Sequence, residues 1–274
     1  MPELPEVETM RRALESTVRG QSIEHVSVLH PQVIAHPGRG AFCRAVCGQK
    51  IAAVRRRGKF LRIVLENESA LWLHLRMTGF LVLAEKSEPQ EKHTHLVFTL
   101  SDGKELRYFD PRRFGRFWLV EKGENFDCGV GKLGLEPGDP ALTADYLKIH
   151  FRNSQKAIKT CLLEQSAVCG IGNIYADEIL FCCRIPPQKK AASLQDADWQ
   201  RLAEEIPKQL AYFTEKNRTA PEAFFRSKGD DYRNTPYLRV YGREKEPCLC
   251  CGTPLEKTEI AGRSSVFCPH CQQE

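Results

Sequence analysis

Four cysteines near the C-terminal end constrain this chain more than any other feature: Cys248 and Cys251, then Cys268 and Cys271. Each pair is spaced C-x2-C, and sixteen residues separate the pairs. A C-x2-C pair makes a tight knuckle that aims two thiolates at one ion, so the spacing suits a single tetrahedral zinc. A tail of about 35 residues buries too little apolar surface to fold alone, so the metal would supply its folding energy. Two disulfides are the alternative, but nothing in the sequence marks secretion, which favours zinc. Cys250 lies between two ligands, and the spacing makes Cys251 the better partner of Cys248.

Between the knuckles, Leu255–Phe267 alternates, turns at Ala261-Gly262-Arg263-Ser264 and alternates again. This pattern predicts a β-hairpin with Arg263 at its tip. Four thiolates and one dication leave a formal charge of about minus two, and Arg243, Lys245, Lys257 and Arg263 lie around it. An arginine held out on a metal-braced hairpin is placed to meet phosphate. A solvated loop arginine is the equal alternative on this pattern alone.

The 274 residues suggest about two domains plus the metal module. Apolar content of 42% and charged content of 27% are ordinary for a globular protein. A net charge of +5 is mildly basic and does not by itself signal nucleic-acid binding. Local clusters say more: Arg55-Arg56-Arg57-Gly58-Lys59, and Arg112-Arg113 with Arg116. Solvated strand ends are the plain alternative for both. No signal-peptide pattern follows Met1, and no apolar run has membrane length. Twelve cysteines without a secretory signal imply a reducing compartment. Cys161, Cys169, Cys182 and Cys183 sit in apolar company that suggests core packing.

Residues 2–17 have one helical period, with Val7, Met10 and Leu14 on a stripe. From Ile23 to Val120 the pattern is of short strands, among them 59–65, 71–75, 80–83, 95–100 and 105–108, with a hairpin turn at Ser101-Asp102-Gly103. This predicts a β-sandwich or barrel with the N-terminal helix laid against it. Gly134–Pro140 breaks all periodicity and suggests a linker. Helices follow at about 143–151, 155–165, 174–183 and 195–215, the last with a kink at Pro207. Residues 217–236 have no period, which in a stretch that long marks a functional loop or disorder.

Two further motifs carry chemistry. In Met1-Pro2-Glu3-Leu4-Pro5-Glu6, loss of the initiator would leave Pro2 with a free secondary amine. An α-amino group titrates near pH 8, so part of it is neutral and nucleophilic at pH 7. It can attack an electrophilic sugar carbon to form an iminium, with Glu3 shuttling protons. A simple helix start is the alternative, favoured on these residues alone. In Cys169-Gly-Ile-Gly-Asn-Ile-Tyr-Ala-Asp-Glu178, two glycines allow a tight turn before a helix. Its first N–H groups and Asn173 can then face a phosphate. The motif follows a helix rather than a strand, which excludes a dinucleotide fold and suits backbone gripping of DNA.

Together these pieces resemble the bacterial formamidopyrimidine-DNA glycosylases nearly end to end. The resemblance rests on Pro2–Glu8, Arg56–Leu61, His74–Met77, Asp110–Gly115, Gly170–Glu178, Val240–Arg243, and Ala261–Arg263 leading into Cys268-Pro-His-Cys271, in that order. It implies an α+β multidomain fold: an N-terminal β-sandwich catalytic domain (1–133), a helix–two-turn–helix domain with a lesion-capping loop (134–236) and a zinc finger (237–274). It also implies a base-excision-repair enzyme, both DNA glycosylase and abasic-site lyase, that removes oxidised purines. Its partner would be double-stranded DNA with damaged bases or abasic sites, bound by a monomer in the bacterial cytoplasm at the nucleoid, away from membranes.

The resemblance assigns roles as well. Pro2 would be the nucleophile and Glu3 the acid/base for ring opening. Lys59 would help the first elimination and Arg263 the second. Met77, Arg112 and Phe114 would fill the gap left by the flipped nucleotide. His74, His93, Arg112, Asn173 and Tyr241 would touch the DNA backbone or the orphan base. Two departures stand out. The capping loop of the family carries glycines and an arginine where this chain has Asn217–Glu222, with Glu222 at the arginine position. Ser154 stands where a phosphate-binding lysine is common, with Lys156 nearby. An endonuclease VIII-type enzyme for oxidised pyrimidines is one alternative, although Leu4 sides with the purine group. A non-catalytic DNA-binding relative is another.

Overall fold

The structure, a computed structural model, describes residues 2–227 and 234–273. The expected removal of Met1, and positions 228–233 of the unpatterned stretch, lie outside the described residues. The chain divides into two compact units: residues 1–131 with 217–233, and residues 132–216 with 234–274.

In the first unit, helix α1 (Leu4–Val18) is followed by β1 (Ile23–Val28), β2 (Ile34–His36), α2 (Arg39–Val46), β3 (Ile51–Arg57), β4 (Phe60–Leu65), β5 (Ala70–His74), β6 (Phe80–Glu85), β7 (Thr94–Leu100), β8 (Lys104–Phe109) and β9 (Arg116–Val120). The strands form a β-sandwich. One sheet has the order β1-β7-β8-β6 and the other β2-β9-β5-β4-β3. Strict alternation makes this possible: Leu61, Ile63 and Leu65 on β4 and Leu71 and Leu73 on β5 are all buried and join one core. Helix α1 adds Val7, Met10, Leu14 and Val18 to that core, and the Glu15 carboxylate accepts the Val54 N–H of the edge strand β3. The expectation of strands throughout 23–120 needs one correction. Arg39–Val46 is a helix, held by Phe42 and Val46 at 0% exposure.

Helix α7 (Pro221–Ser227) completes this unit and corrects a second expectation, since part of the 217–236 stretch is ordered. Pro221 sets its first turn. Phe224 and Phe225 are buried, and Phe224 meets Phe80 of β6 with ring centroids 5.1 Å apart. Burying such rings stabilises by roughly 1.5–3 kcal/mol each, enough to fix a helix too short to show a period. Beyond the described gap, Thr235–Tyr237 forms a 3-10 turn.

The second unit holds α3 (Ala144–Phe151), α4 (Ile158–Leu163), α5 (Asn173–Cys182), α6 (Asp196–Lys216) and the hairpin of β10 (Glu256–Ile260) and β11 (Arg263–Phe267). α4 is shorter than its pattern predicts because Ala157 is extended and bridges Lys190. α6 is continuous through Pro207. The Gly134–Pro140 segment is not a free tether. Leu135 bridges Val168, and Gly134 packs against the Ala167 carbonyl so closely that a Cβ would not fit. The zinc-finger segment shares a core with α5, formed by Phe181, Val240, Cys248, Leu255, Val266 and Cys268. Among the described residues no helix is long and apolar enough to cross a membrane.

Candidate active site and metal centre

Pro2 and Glu3 are buried at the start of α1. The Glu3 N–H donates to the Glu6 carboxylate at 2.9 Å, a capping-box contact that fixes how the chain enters the helix. The other Glu6 oxygen accepts the Asn217 side-chain N–H at 3.2 Å, and Thr9 Oγ1 lies 3.5 Å from the Asn217 carbonyl. The first residue of the capping stretch is therefore anchored at the helix turn that carries Pro2. The Asn217 side-chain oxygen is buried with no hydrogen-bond partner.

Lys59 occupies, with Gly58, the two-residue turn that joins β3 to β4, and it is only 7% exposed. His74 ends β5 directly opposite Phe60, whose ring it meets edge-on at 4.6 Å. Burial, reinforced by the charges of Arg76 and Lys59, pushes the His74 imidazole down to about 3. Its Nδ1 accepts the Arg76 N–H at 3.0 Å, so the neutral ring carries its proton on Nε2. His74 is thus a neutral donor near cationic groups, suited to a phosphate oxygen. His93 is half-buried, its ring edge-on to Phe109 and its Nδ1 without a partner.

Met77, Arg112 and Phe114 come together although 35 residues separate the first two. Arg112 Nη1 lies 3.0 Å from the Met77 sulfur, and its guanidinium stacks 4.8 Å from the Phe114 ring centre. Met77 and Phe114 are 43% and 47% exposed. Large apolar side chains held out in this way, around a cation, form an exposed cluster rather than part of a core. A residue that sequence reasoning left without a role holds the cluster in place. Asp110 is fully buried and accepts from the Thr78 hydroxyl, from the Tyr108 hydroxyl at 3.0 Å, and from the N–H groups of Gly115 at 2.9 Å and Arg112 at 3.2 Å. Burial raises its pKa, but these donors outweigh burial and hold the carboxyl below its usual range. One carboxylate thereby ties the Met77 loop to the Arg112–Phe114 loop. Gly115 is required there because a Cβ would collide with the Tyr108 hydroxyl.

In the second unit, α5 begins at Gly172 in extended conformation, after Gly170 at φ +94°. Asn173 donates to the Ser264 carbonyl at 3.0 Å, and its side-chain oxygen is buried with no hydrogen-bond partner. Two adjacent acids on this helix, also without a role in the sequence reading, attach the C-terminal segment to it. Asp177 accepts from Lys159 Nζ at 2.8 Å, from Ser265 Oγ at 2.6 Å and from the Val266 N–H at 3.1 Å. Lys159, fully buried, also donates to the Ser264 carbonyl at 2.8 Å. Glu178 accepts the N–H groups of Arg239, Val240 and Tyr241 at 2.9–3.1 Å. The hairpin turn itself is Ala261-Gly262, with φ of +49° and +74°. That geometry belongs to a type I′ turn. Exposed Arg263 is therefore the first strand residue beside the turn, paired with Ile260, rather than its apex. Lys156 forms an ion pair with Glu164 at 2.6 Å.

The sulfurs of Cys248, Cys251, Cys268 and Cys271 all lie within 4.8 Å of one another. Cys251 is 3.5 Å from both Cys268 and Cys271, and Cys248 is 3.9 Å from Cys271. A tetrahedron with zinc–sulfur bonds of about 2.3 Å has edges of about 3.8 Å, so the cluster has the size of a zinc site. The Cys250 N–H approaches the Cys248 sulfur at 3.4 Å and the Cys271 N–H the Cys268 sulfur at 3.3 Å, contacts that favour thiolate. Thr253 pulls the Cys251 thiol down to about 6, whereas burial and neighbouring sulfurs push Cys268 and Cys271 up. Four thiolates this close need a cation among them, and a structural zinc satisfies all four. Cys250 is exposed and outside the cluster.

Comparison with known proteins agrees with both units. Residues 1–117 match the formamidopyrimidine-DNA glycosylase N-terminal domain, 133–222 the H2TH domain of the same enzymes, and 245–273 a zinc finger found in FPG and IleRS. The chain belongs to the formamidopyrimidine-DNA glycosylase family. It is 42% identical to the formamidopyrimidine-DNA glycosylase of Geobacillus kaustophilus over 100% of both chains, and 40% identical to that of Bacillus cereus over 99% of both. Among solved structures it is similar to Lactococcus lactis Fpg bound to DNA containing an oxidised pyrimidine (TM-score 0.92, 34% identity) and to the same protein bound to abasic-site DNA (0.91, 33%), each over 100% of both chains.

Proposed function

We propose that this protein is a bifunctional DNA glycosylase and abasic-site lyase of base-excision repair. Its substrate is duplex DNA with oxidised purines, 8-oxoguanine and formamidopyrimidines, or abasic sites. The observation that carries the reading is the full-length likeness to formamidopyrimidine-DNA glycosylases, with Pro2 and Glu3 in place at the head of a capped helix. The Pro2 nitrogen, freed by removal of Met1, attacks C1′ of the flipped nucleotide. The glycosidic bond breaks, the base leaves with its electron pair and a proton, and Glu3 moves the proton that opens the sugar ring. The resulting iminium acidifies C2′–H. Loss of that proton expels the 3′ phosphate, assisted by Lys59, and a second elimination expels the 5′ phosphate, assisted by Arg263. Met77, Arg112 and Phe114 fill the vacated stack, while His74, His93, Asn173 and Tyr241 hold the backbone.

On this reading the chain works as a monomer with three parts, a catalytic sandwich (1–133), a helical grip (134–236) and a zinc finger (237–274), in the bacterial cytoplasm at the nucleoid. Borohydride tests the chemistry. A reduced adduct with abasic-site DNA whose sugar maps to the Pro2 nitrogen by peptide mass spectrometry supports it, and a sugar captured on any other residue refutes it. The lesion class is tested separately, because the L. lactis relative was crystallised with an oxidised pyrimidine and Glu222 departs from the family pattern. Faster excision of 8-oxoguanine and formamidopyrimidine than of thymine glycol supports purine specificity. The reverse order replaces it with the endonuclease VIII-type reading.

A further inference from the structure

The five-stranded sheet contains no Asp or Glu in any of its strands, yet it carries Arg55, Arg56, Arg57, Arg62 and Arg116. The four-stranded sheet, by contrast, has glutamates on β1, β6 and β8. Register arranges the side chains of the acid-free sheet on its outer face. Arg55 pairs with Arg62, Arg62 with Trp72 and Trp72 with Trp118, so the four form one row across β3, β4, β5 and β9. The next row toward the strand ends is Arg57, Phe60, His74 and Arg116. The inward neighbours Leu61, Leu71, Leu73 and Phe117 are buried, whereas Arg62, Trp72 and Trp118 are half-exposed and Arg55 exposed.

Arg62 lies over the Trp72 ring at 5.3 Å. The stack orients the guanidinium without using its donors, and Arg62 Nε is buried with no hydrogen-bond partner. Neither Arg55 nor Arg62 forms an ion pair among the described residues. The carboxylates beside β3 are engaged elsewhere: Glu15 accepts the Val54 N–H and Glu8 pairs with Arg56 at 3.2 Å. Two guanidiniums side by side, one held on an indole and neither neutralised, are complementary to a polyanion. Their row lies directly beside the one that contains His74.

We propose that this face is a phosphate-tracking surface for duplex DNA flanking the lesion, with Arg55 and Arg62 neutralising backbone phosphates beyond the nucleotide that is cut. The proposal rests on the glycosylase reading for the identity of the polyanion. It extends that reading by adding a second contact zone, one that senses duplex length and not the damaged base.

The test uses the full-length zinc-loaded protein and a duplex with an uncleavable abasic-site analogue, in a short form that ends close to the lesion and a long form. Each phosphate contact contributes about −0.9 to the slope of log affinity against log salt. Arg55→Ala/Arg62→Ala is therefore expected to reduce the slope on the long duplex by about 1.8 and to leave the short duplex unchanged. Arg55→Ala/Arg62→Lys, which keeps one of the two charges, restores half of the difference. Two of the three tryptophans lie in this row and the third, Trp199, is 1% exposed. Quenching of tryptophan emission by the long duplex, lost in the double variant, is the second expected result. An unchanged slope on the long duplex, an equal loss on both duplexes, or a loss confined to single-stranded competitors overturns the proposal. Borohydride trapping by the parent is read in parallel. A parent that traps DNA beside a double variant of unchanged slope sinks this surface alone, and a parent that fails to trap sinks the glycosylase reading.

Discussion

Lys159→Met should loosen the hairpin that carries Arg263. Lys159 and Asp177 are both fully buried, with Nζ 2.8 Å from the carboxylate. Removing the cation strands a charge in a low-dielectric interior, which costs about 3–5 kcal/mol. The Ser265 hydroxyl and the Val266 N–H remain on the carboxylate at 2.6 and 3.1 Å. Bonds to a charged group each contribute about 1.5–3 kcal/mol, so the cost falls at the lower end, about 3 kcal/mol. For a unit of this size that lowers the melting temperature by roughly 10 °C. Urea denaturation gives the free energy, and a zinc assay on the folded variant should still return one equivalent because all four cysteines are intact. The Ser264 carbonyl, next to Arg263, loses a donor, so the share of doubly eliminated product should fall relative to the β-elimination product. Lys159→Met/Asp177→Leu, which removes both charges, should recover most of the lost stability. A single variant within about 1 kcal/mol of the parent, or a double variant no more stable than the single, would refute the reasoning.

Asp110→Asn should disorder the Met77–Arg112–Phe114 cluster. Because its folded pKa is depressed, Asp110 contributes stability that is present above the ordinary carboxylate range and lost as pH falls through the folded value; the acid limb of a stability–pH profile should flatten in the variant. His74, lowered to about 3, should show no imidazole titration by NMR between pH 5 and 8. Its depressed pKa makes the folded state less stable as pH falls from about 6.5 toward 3, since only the unfolded chain takes up the proton there; His74→Gln should remove that slope. Chelating the zinc, or Cys268→Ser, should weaken DNA binding at least tenfold in an anisotropy titration while the sandwich unit keeps its own unfolding transition.

Much of this molecule was legible in the sequence because its signals are local. Short apolar runs bounded by turns, such as Phe60–Leu65 and Thr94–Leu100, announce strands, and a 3.6-residue stripe of Val7, Met10 and Leu14 announces α1. Cysteine spacing announces the metal before any fold is considered. The short helices α2 and α7 escaped because eight and seven residues hold too few turns for a period to appear, and because tertiary contacts of Phe42 and Phe224 fix them. Met77, Arg112 and Phe114, which the structure brings together, could be named, but Asp110, which binds both of their loops, could not. A carboxylate looks the same in sequence whether it is solvated or fully buried. α5 did contain a usable clue. Asp177 and Glu178 interrupt a run otherwise made of Ile174, Tyr175, Ala176, Ile179, Leu180, Phe181 and Cys182, and acids inside an apolar helix are tolerated only when donors meet them.

Helix α7 begins at Pro221, 141 residues after the Phe80 that it seals (221 − 80). While the chain is being made, Phe80 therefore stays uncovered on the nascent sandwich until Phe224 and Phe225 have left the ribosome. A fragment ending at residue 131 would carry that open apolar scar permanently, which makes it prone to aggregate. Supplying residues 217–227 as a separate peptide is the natural means of rescuing it.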